Sequence, residues 1–118
     1  MQNLVEEAKR LKEHGQLDEA IAMLKRAIEL NIDDGEAYFQ LGVSYFDKQD
    51  YAEARKALRV AEGLEPGNGL IYYYAGRSCH AMGDREGVQS MCIRLIIVNP
   101  KLSKKLSNDT AQYRNKFD

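Results

Sequence analysis

"EAYFQLGVSYFDKQDYAEARKALRVAEGLEPGN", residues 36–68, holds two helical patterns separated by one polar break. Tyr38, Leu41, Gly42 and Tyr45 recur at steps of three and four, the spacing that places side chains on one helix face. Ala54, Leu58 and Ala61 repeat the pattern further on, and "DKQD" at 47–50 lies between the two runs. Pro66 ends the second run, because proline cannot continue a helix. The small residues Gly42 and Ala54 suit a close approach of two antiparallel helices. Tyr38, Leu41, Tyr45 and Leu58 have the bulk to fill the space around that contact.

Moving along the chain by 34 residues reproduces the pattern without gaps, over segments 1–34, 35–68 and 69–102. Gly42 corresponds to Ala8 and Gly76, Ala54 to Ala20 and Val88, and Leu58 to Leu24 and Cys92. Ala61 corresponds to Ala27 and Leu95, and Pro66 to Ile32 and Pro100. Gly15 and Gly83 suit a reversal after the first helix of a pair. Asp18, Asp50 and Asp84 stand where each second helix should begin, as capping residues do. The spacing predicts six helices, at about 2–14, 18–31, 35–48, 52–64, 69–82 and 86–98. A seventh is expected in 103–118, with Leu106, Thr110 and Tyr113 in the register of Leu4, Ala8 and Leu11. The third segment departs most. Val88 and Leu95 are larger than the alanines they replace, and Cys92 is smaller than Leu58, so volume is traded between neighbouring positions.

An aromatic, Leu-Gly, Tyr, Ala, a large apolar residue and Pro at these spacings resemble the tetratricopeptide repeat. The resemblance implies an all-α fold, an α-α superhelix forming one domain over 1–118, with three repeats and a capping helix at 103–118. It also implies that the first helix of each pair lines a concave inner wall. "GLIYYYAGRSC", residues 69–79, tests this reading, since three adjacent tyrosines cannot share one helix face. Registered on the second repeat, Tyr72 falls at the core position of Tyr38. Tyr73 falls with Phe39 and Val5 on the groove wall, and Tyr74 falls with Gln40 and Glu6 at its edge.

The same register gives the groove an apolar centre of Phe39, Val43, Phe46, Leu70 and Tyr73. Lys9 and Lys12 flank it on one side, and Arg77 and His80 on the other. Val5 and Tyr74 complete the expected partner-binding set, and Gln2 shares the wall. An aromatic floor with a cationic margin suits a peptide or partner segment with apolar anchors and acidic residues. The function implied is therefore a non-catalytic protein-interaction module or scaffold. A homo-oligomerisation module and a secretion-type chaperone for an exported substrate are the alternatives. Some family members clamp a chaperone's C-terminal carboxylate with Lys, Asn and Arg. Val5, Lys9, Gln40, Leu70 and Tyr74 occupy the matching positions, so that mode is not expected.

Composition agrees with a soluble domain: 44% of residues are hydrophobic, 30% are charged and only two are prolines. Residues 1–68 hold 9 basic and 14 acidic side chains, and residues 69–118 hold 8 and 4. That basic half is too dilute for a nucleic-acid surface, and no apolar run is long enough to span a membrane. The two cysteines, Cys79 and Cys92, point to buried thiols in a reducing, cytoplasmic setting rather than a disulfide. No nucleophile–base pair, phosphate loop or metal-ligand cluster stands out, so no enzyme, cofactor or metal is expected.

Overall fold

The structure is a computed structural model that describes residues 3–111. Its helices are α1 (Leu4–Glu13), α2 (Leu17–Leu30), α3 (Gly35–Asp47), α4 (Tyr51–Leu64), α5 (Gly69–Ala81), α6 (Arg85–Val98) and α7 (Pro100–Asp109). Gln2 and Tyr113, both assigned roles from the sequence, lie outside the described residues.

Local chemistry sets the ends of these helices. Asn3, Asp34, Asp50, Asn68, Asp84 and Asn99 each accept a hydrogen bond from a backbone N–H in the first turn of the helix that follows. The helix α2 departs from this, since Gln16 occupies its cap position and makes no side-chain cap bond. Asp18, expected as that cap, lies inside the first turn and pairs with Lys48 at 2.5 Å. The reason is register: Asp50 and Asp84 map onto residue 16, not 18.

Each first helix ends on a residue in the left-handed region, Gly15 (φ 78°), Gln49 (φ 68°) and Gly83 (φ 75°). The turn is the same each time. Its amide donates back to residue i−3 and the next amide to residue i−5, as in Gln49 to Phe46 and Asp50 to Tyr45. Glycine takes this conformation without strain, whereas glutamine carries a Cβ penalty.

Within the second hairpin, a Cβ at Gly42 would lie 2.6 Å from Leu58 Cγ, so only glycine fits against that leucine. Leu24, Leu58, Leu95, Ala20, Ala54 and Ala61 are fully buried. Each such leucine contributes about 2 kcal/mol from burial. The third hairpin solves the same problem with different residues. Cys92, in the Leu58 register, leaves space, and a Cβ at Gly76 would collide with Leu106 of α7. Large and small have also changed places along α6, since Leu95 is fully buried where the second repeat has Ala61.

The helix α7 begins three residues earlier than expected. Asn99 both ends α6 and caps α7, and Pro100 takes the first helical position, where its missing N–H costs nothing. Ser103 Oγ then donates to the Cys92 carbonyl at 2.8 Å, tying α7 to α6.

Curvature follows from which helices touch. The backbones of α1 and α3, α3 and α5, and α5 and α7 approach closely, whereas those of α2 and α4, or α4 and α6, do not among the described residues, and α4 and α6 are bridged by the Arg94–Glu62 ion pair. The first helices are thus closer together than the second, so they form the inner, concave wall of a solenoid 54 × 27 × 20 Å in extent. Gln49→Gly should relieve the one strained turn and raise the unfolding free energy by about 1 kcal/mol. A urea titration by circular dichroism measures it, as a higher midpoint with an unchanged slope.

Candidate functional site

On the inner wall the register of Val5, Phe39 and Tyr73 forms a seam between successive first helices. Val5 belongs to a core cluster with Ala37 and Leu41 of α3. Phe39 and Val43 belong to a second cluster with residues of α5, and the ring of Phe39 meets that of Tyr74 edge-on at 6.1 Å. The Tyr73 hydroxyl donates to the Asp109 carboxylate on α7 and accepts from Lys105 Nζ at 3.1 Å. The expectation that Val5, Phe39, Val43 and Tyr73 face the groove therefore needs correction. They are 4–8% exposed, because the next first helix closes over each of them.

The three tyrosines have three environments. Tyr72 is buried and its hydroxyl donates to the Pro66 carbonyl at 2.6 Å, pinning α5 to the turn between repeats. Tyr73 is buried and tied to α7. Tyr74 is half-buried, and its ring lies edge-on to Phe39, Phe46 and Tyr73. Its hydroxyl has no hydrogen-bond partner among the described residues. Burial, with the Asp47 carboxylate nearby, pushes this phenol above its ordinary pKa, so it remains a protonated donor.

Phe46 extends the aromatic surface, with its ring 5.5 Å from both Tyr74 and Tyr51. Arg77 is exposed and places its guanidinium 5.0 Å from the Phe46 ring and 5.7 Å from Tyr73. Tyr51, Lys105 and Asp109 are additions that the sequence reading missed. Leu70 is 45% exposed near the start of α5, one turn before Tyr74. His80 is half-buried in the last turn of α5.

The opposite margin is a polar chain. Lys9 pairs with Glu36 at 2.9 Å and with Glu6 at 3.3 Å, and the Glu36 hydrogen bond holds its pKa up. Gln40 donates to Glu36 at 3.1 Å and accepts from Lys12 Nζ at 2.8 Å. Lys12 is thus a part-buried cation whose hydrogen bond goes to a neutral amide. Desolvation lowers its pKa, partly offset by Asp47 and Glu13. Neither Lys12 nor Arg77 has an ion-pair partner among the described residues.

Both cysteines are free, and burial raises both thiols above their ordinary pKa. Among the described residues, no group of three His, Cys, Asp or Glu side chains is placed to hold a metal. No helix there is long and apolar enough to cross a membrane.

Three helical hairpins at a constant 34-residue step, stacked first helix on first helix, define an α-solenoid repeat protein. Residues 5–69 match the family model of the tetratricopeptide repeat, and the chain belongs to that family. Solved structures agree with the fold. The chain is similar to the first TPR of Spaghetti (RPAP3), bound to the HSP90 peptide SRMEEVD, at 18% identity and TM-score 0.86 over 95% of this chain and 90% of that one. It is similar to YrrB, a TPR protein with an unusual peptide-binding site, at 26% identity and TM-score 0.82 over 92% of this chain and 58% of that one. MamA matches at 21% identity and TM-score 0.79, over 96% of this chain and 77% of that one. A search of curated protein sequences finds no match.

The Tyr73–Asp109–Lys105 contact makes α7 sensitive to acid. Its hydrogen bonds hold the Asp109 carboxyl below the usual carboxylate range, so its contribution is present above that range and is lost as pH falls through the depressed pKa. Tyr73→Phe should cost about 1 kcal/mol at neutral pH, since the bond is charge-assisted but half open to solvent. The wild-type advantage in hydrogen-exchange protection of α7 should shrink on acidification.

Proposed function

We propose that this chain is a non-catalytic protein-interaction module that holds a segment of a partner protein along its concave wall. One observation carries the reading: the half-buried Tyr74, whose hydroxyl has no hydrogen-bond partner among the described residues, lies near the charge of Arg77, and neither Arg77 nor the part-buried Lys12 of α1 has an ion-pair partner among those residues. A half-buried aromatic with satisfied edges and an unsatisfied hydroxyl offers apolar area and a hydrogen bond together. Arg77, already stacked on Phe46 and Tyr73, offers a fork of donors for an incoming carboxylate at little cost in side-chain order. The ligand that fits is a peptide with one aromatic or large aliphatic side chain close to an Asp, Glu or terminal carboxylate.

The peptide-bound Spaghetti repeat and the peptide-binding site of YrrB support the general reading, but the residues argue for a local solution. At the positions where a carboxylate clamp would need Lys, Asn and Arg, Val5 is buried and Lys9 is paired with Glu36. Gln40 is committed to Lys12 and Glu36. Recognition is therefore assigned to Tyr74, Arg77, Lys12 and Phe46, not to a clamp. The reading of the chain as a chaperone for an exported substrate draws no support from any residue described above.

Panning a displayed random-peptide library against the chain tests this. Selected peptides should share an aromatic or aliphatic anchor within a few residues of a carboxylate. Arg77→Glu and Tyr74→Ala should each weaken the best peptide roughly tenfold or more, with an unchanged circular dichroism spectrum. Selection of basic peptides, or binding that survives both substitutions, would overturn the assignment.

A further inference from the structure

The outer face of α6 carries an apolar stripe that the repeat architecture does not require. Ile93, Ile96 and Ile97 are 63%, 59% and 86% exposed. Their spacing of three and four places them side by side on one face. The equivalent positions are Lys25, Ile28 and Glu29 on α2, and Arg59, Glu62 and Gly63 on α4. Only α6 presents three isoleucines there. Scattered single apolar residues are ordinary on a surface, but a contiguous stripe marks an interaction site.

The charges around the stripe indicate what covers it. Between Gly87 and Pro100 the single ionic residue is Arg94. It is drawn sideways, paired with Glu62 of α4 and lying 6.0 Å from the Tyr72 ring. The middle of the stripe is therefore uncharged. Glu86, seven and eleven residues before Ile93 and Ile97, lies on their line in the first turn of α6; Arg85, eleven residues before Ile96, borders the stripe and Asp84 caps the helix, so this end carries a net negative charge. Past the other end, Lys101 and Lys104 stand exposed on α7. One end is acidic in net charge and the sequence past the other is basic, with Arg94, drawn toward Glu62, the one ionic side chain between.

We propose that this face binds a second copy of the same chain, with the two α6 helices antiparallel about a two-fold axis near Leu95. That arrangement sets Ile93 of one copy beside Ile97 of the other, and brings each acidic end to the basic end opposite. A parallel pairing would set like charges together. The interface is self-complementary, as a two-fold contact must be. Isoleucine is suited to it, since a β-branched side chain has little rotamer freedom left to lose in a helix. The stripe is on the side away from the concave wall, so dimerisation leaves Tyr74 and Arg77 open to a ligand, and two grooves in one particle would raise avidity for a repetitive partner.

Sedimentation equilibrium of the 118-residue chain over a wide concentration range tests the proposal. The wild type should show a concentration-dependent monomer–dimer equilibrium. Ile97→Glu should be monomeric throughout with an unchanged thermal midpoint, because that side chain is almost fully exposed. Glu86→Lys should weaken the dimer several-fold, and adding Lys101→Glu should restore it. A wild type that remains monomeric up to millimolar concentration would overturn the proposal, leaving the stripe to a different protein or a lipid surface. So would a dimer that Ile97→Glu does not disturb.

Discussion

Helices in this chain approach at points where at most a methyl group fits. At Gly42 any Cβ would collide with Leu58, and at Gly76 with Leu106. Ala8, Ala20 and Ala54 are buried to within 1% of completely. At Gly42, Ala8, Ala20 and Ala54 this approach fixes the hairpin, and at Gly76 it seats α7 on α5. With each pair locked, the faces left to stack are those of α1, α3, α5 and α7, and their mutual contact bends the array. The concave wall is a consequence of small residues in the right register rather than of any property of the wall itself.

That hierarchy explains which features were legible in the sequence. The six repeat helices and the all-α class were readable because the constraint acts locally, at fixed steps along the chain. Boundaries tied to a single side chain were less so. Asp18 looks like a cap because aspartate caps helices, yet the turn places Gln16 at the cap, and the repeat register alone carries that information. Pro100 was readable as a stop and was also a start, since Asn-Pro supplies a cap and a first helical residue together. Reading only its stop function displaced the start of α7 by three residues.

The groove was harder to read, for a geometric reason. Sequence register says which residues share a helix face, but a helix on the inner wall has two neighbours on that side. The position shared by Val5, Phe39 and Tyr73 points at the wall and also at the next first helix, and packing claims it. The position one residue later, held by Glu6, Gln40 and Tyr74, reaches the open surface more readily. Gln40 is itself covered because Lys12 and Glu36 both bond to it. The exposed ring of the triplet is consequently Tyr74. Its neighbours supply the two anchors that hold it, since Tyr72 fastens α5 to the preceding turn and Tyr73 fastens it to α7.

A wall built in this way separates stability from recognition, residue by residue. Tyr73 and Phe39 are nearly inaccessible, so their replacement acts first on the stacking of repeats and reaches any ligand only through that. Arg77 is exposed, and its described contacts are ring faces, so its replacement acts on charge and on the aromatic surface with little consequence for the fold. Lys12 lies between these cases. Its hydrogen bond to Gln40 ties α1 to α3, yet no carboxylate among the described residues forms an ion pair with it, and Asp47 and Glu13 offset its desolvation only in part. A carboxylate arriving beside Lys12 would favour its charged form, and the cost of burying that cation would be partly recovered on binding. The wall therefore holds a desolvated charge that its own fold only partly stabilises, and on the proposed reading an acidic ligand would gain there what a neutral or basic one would not.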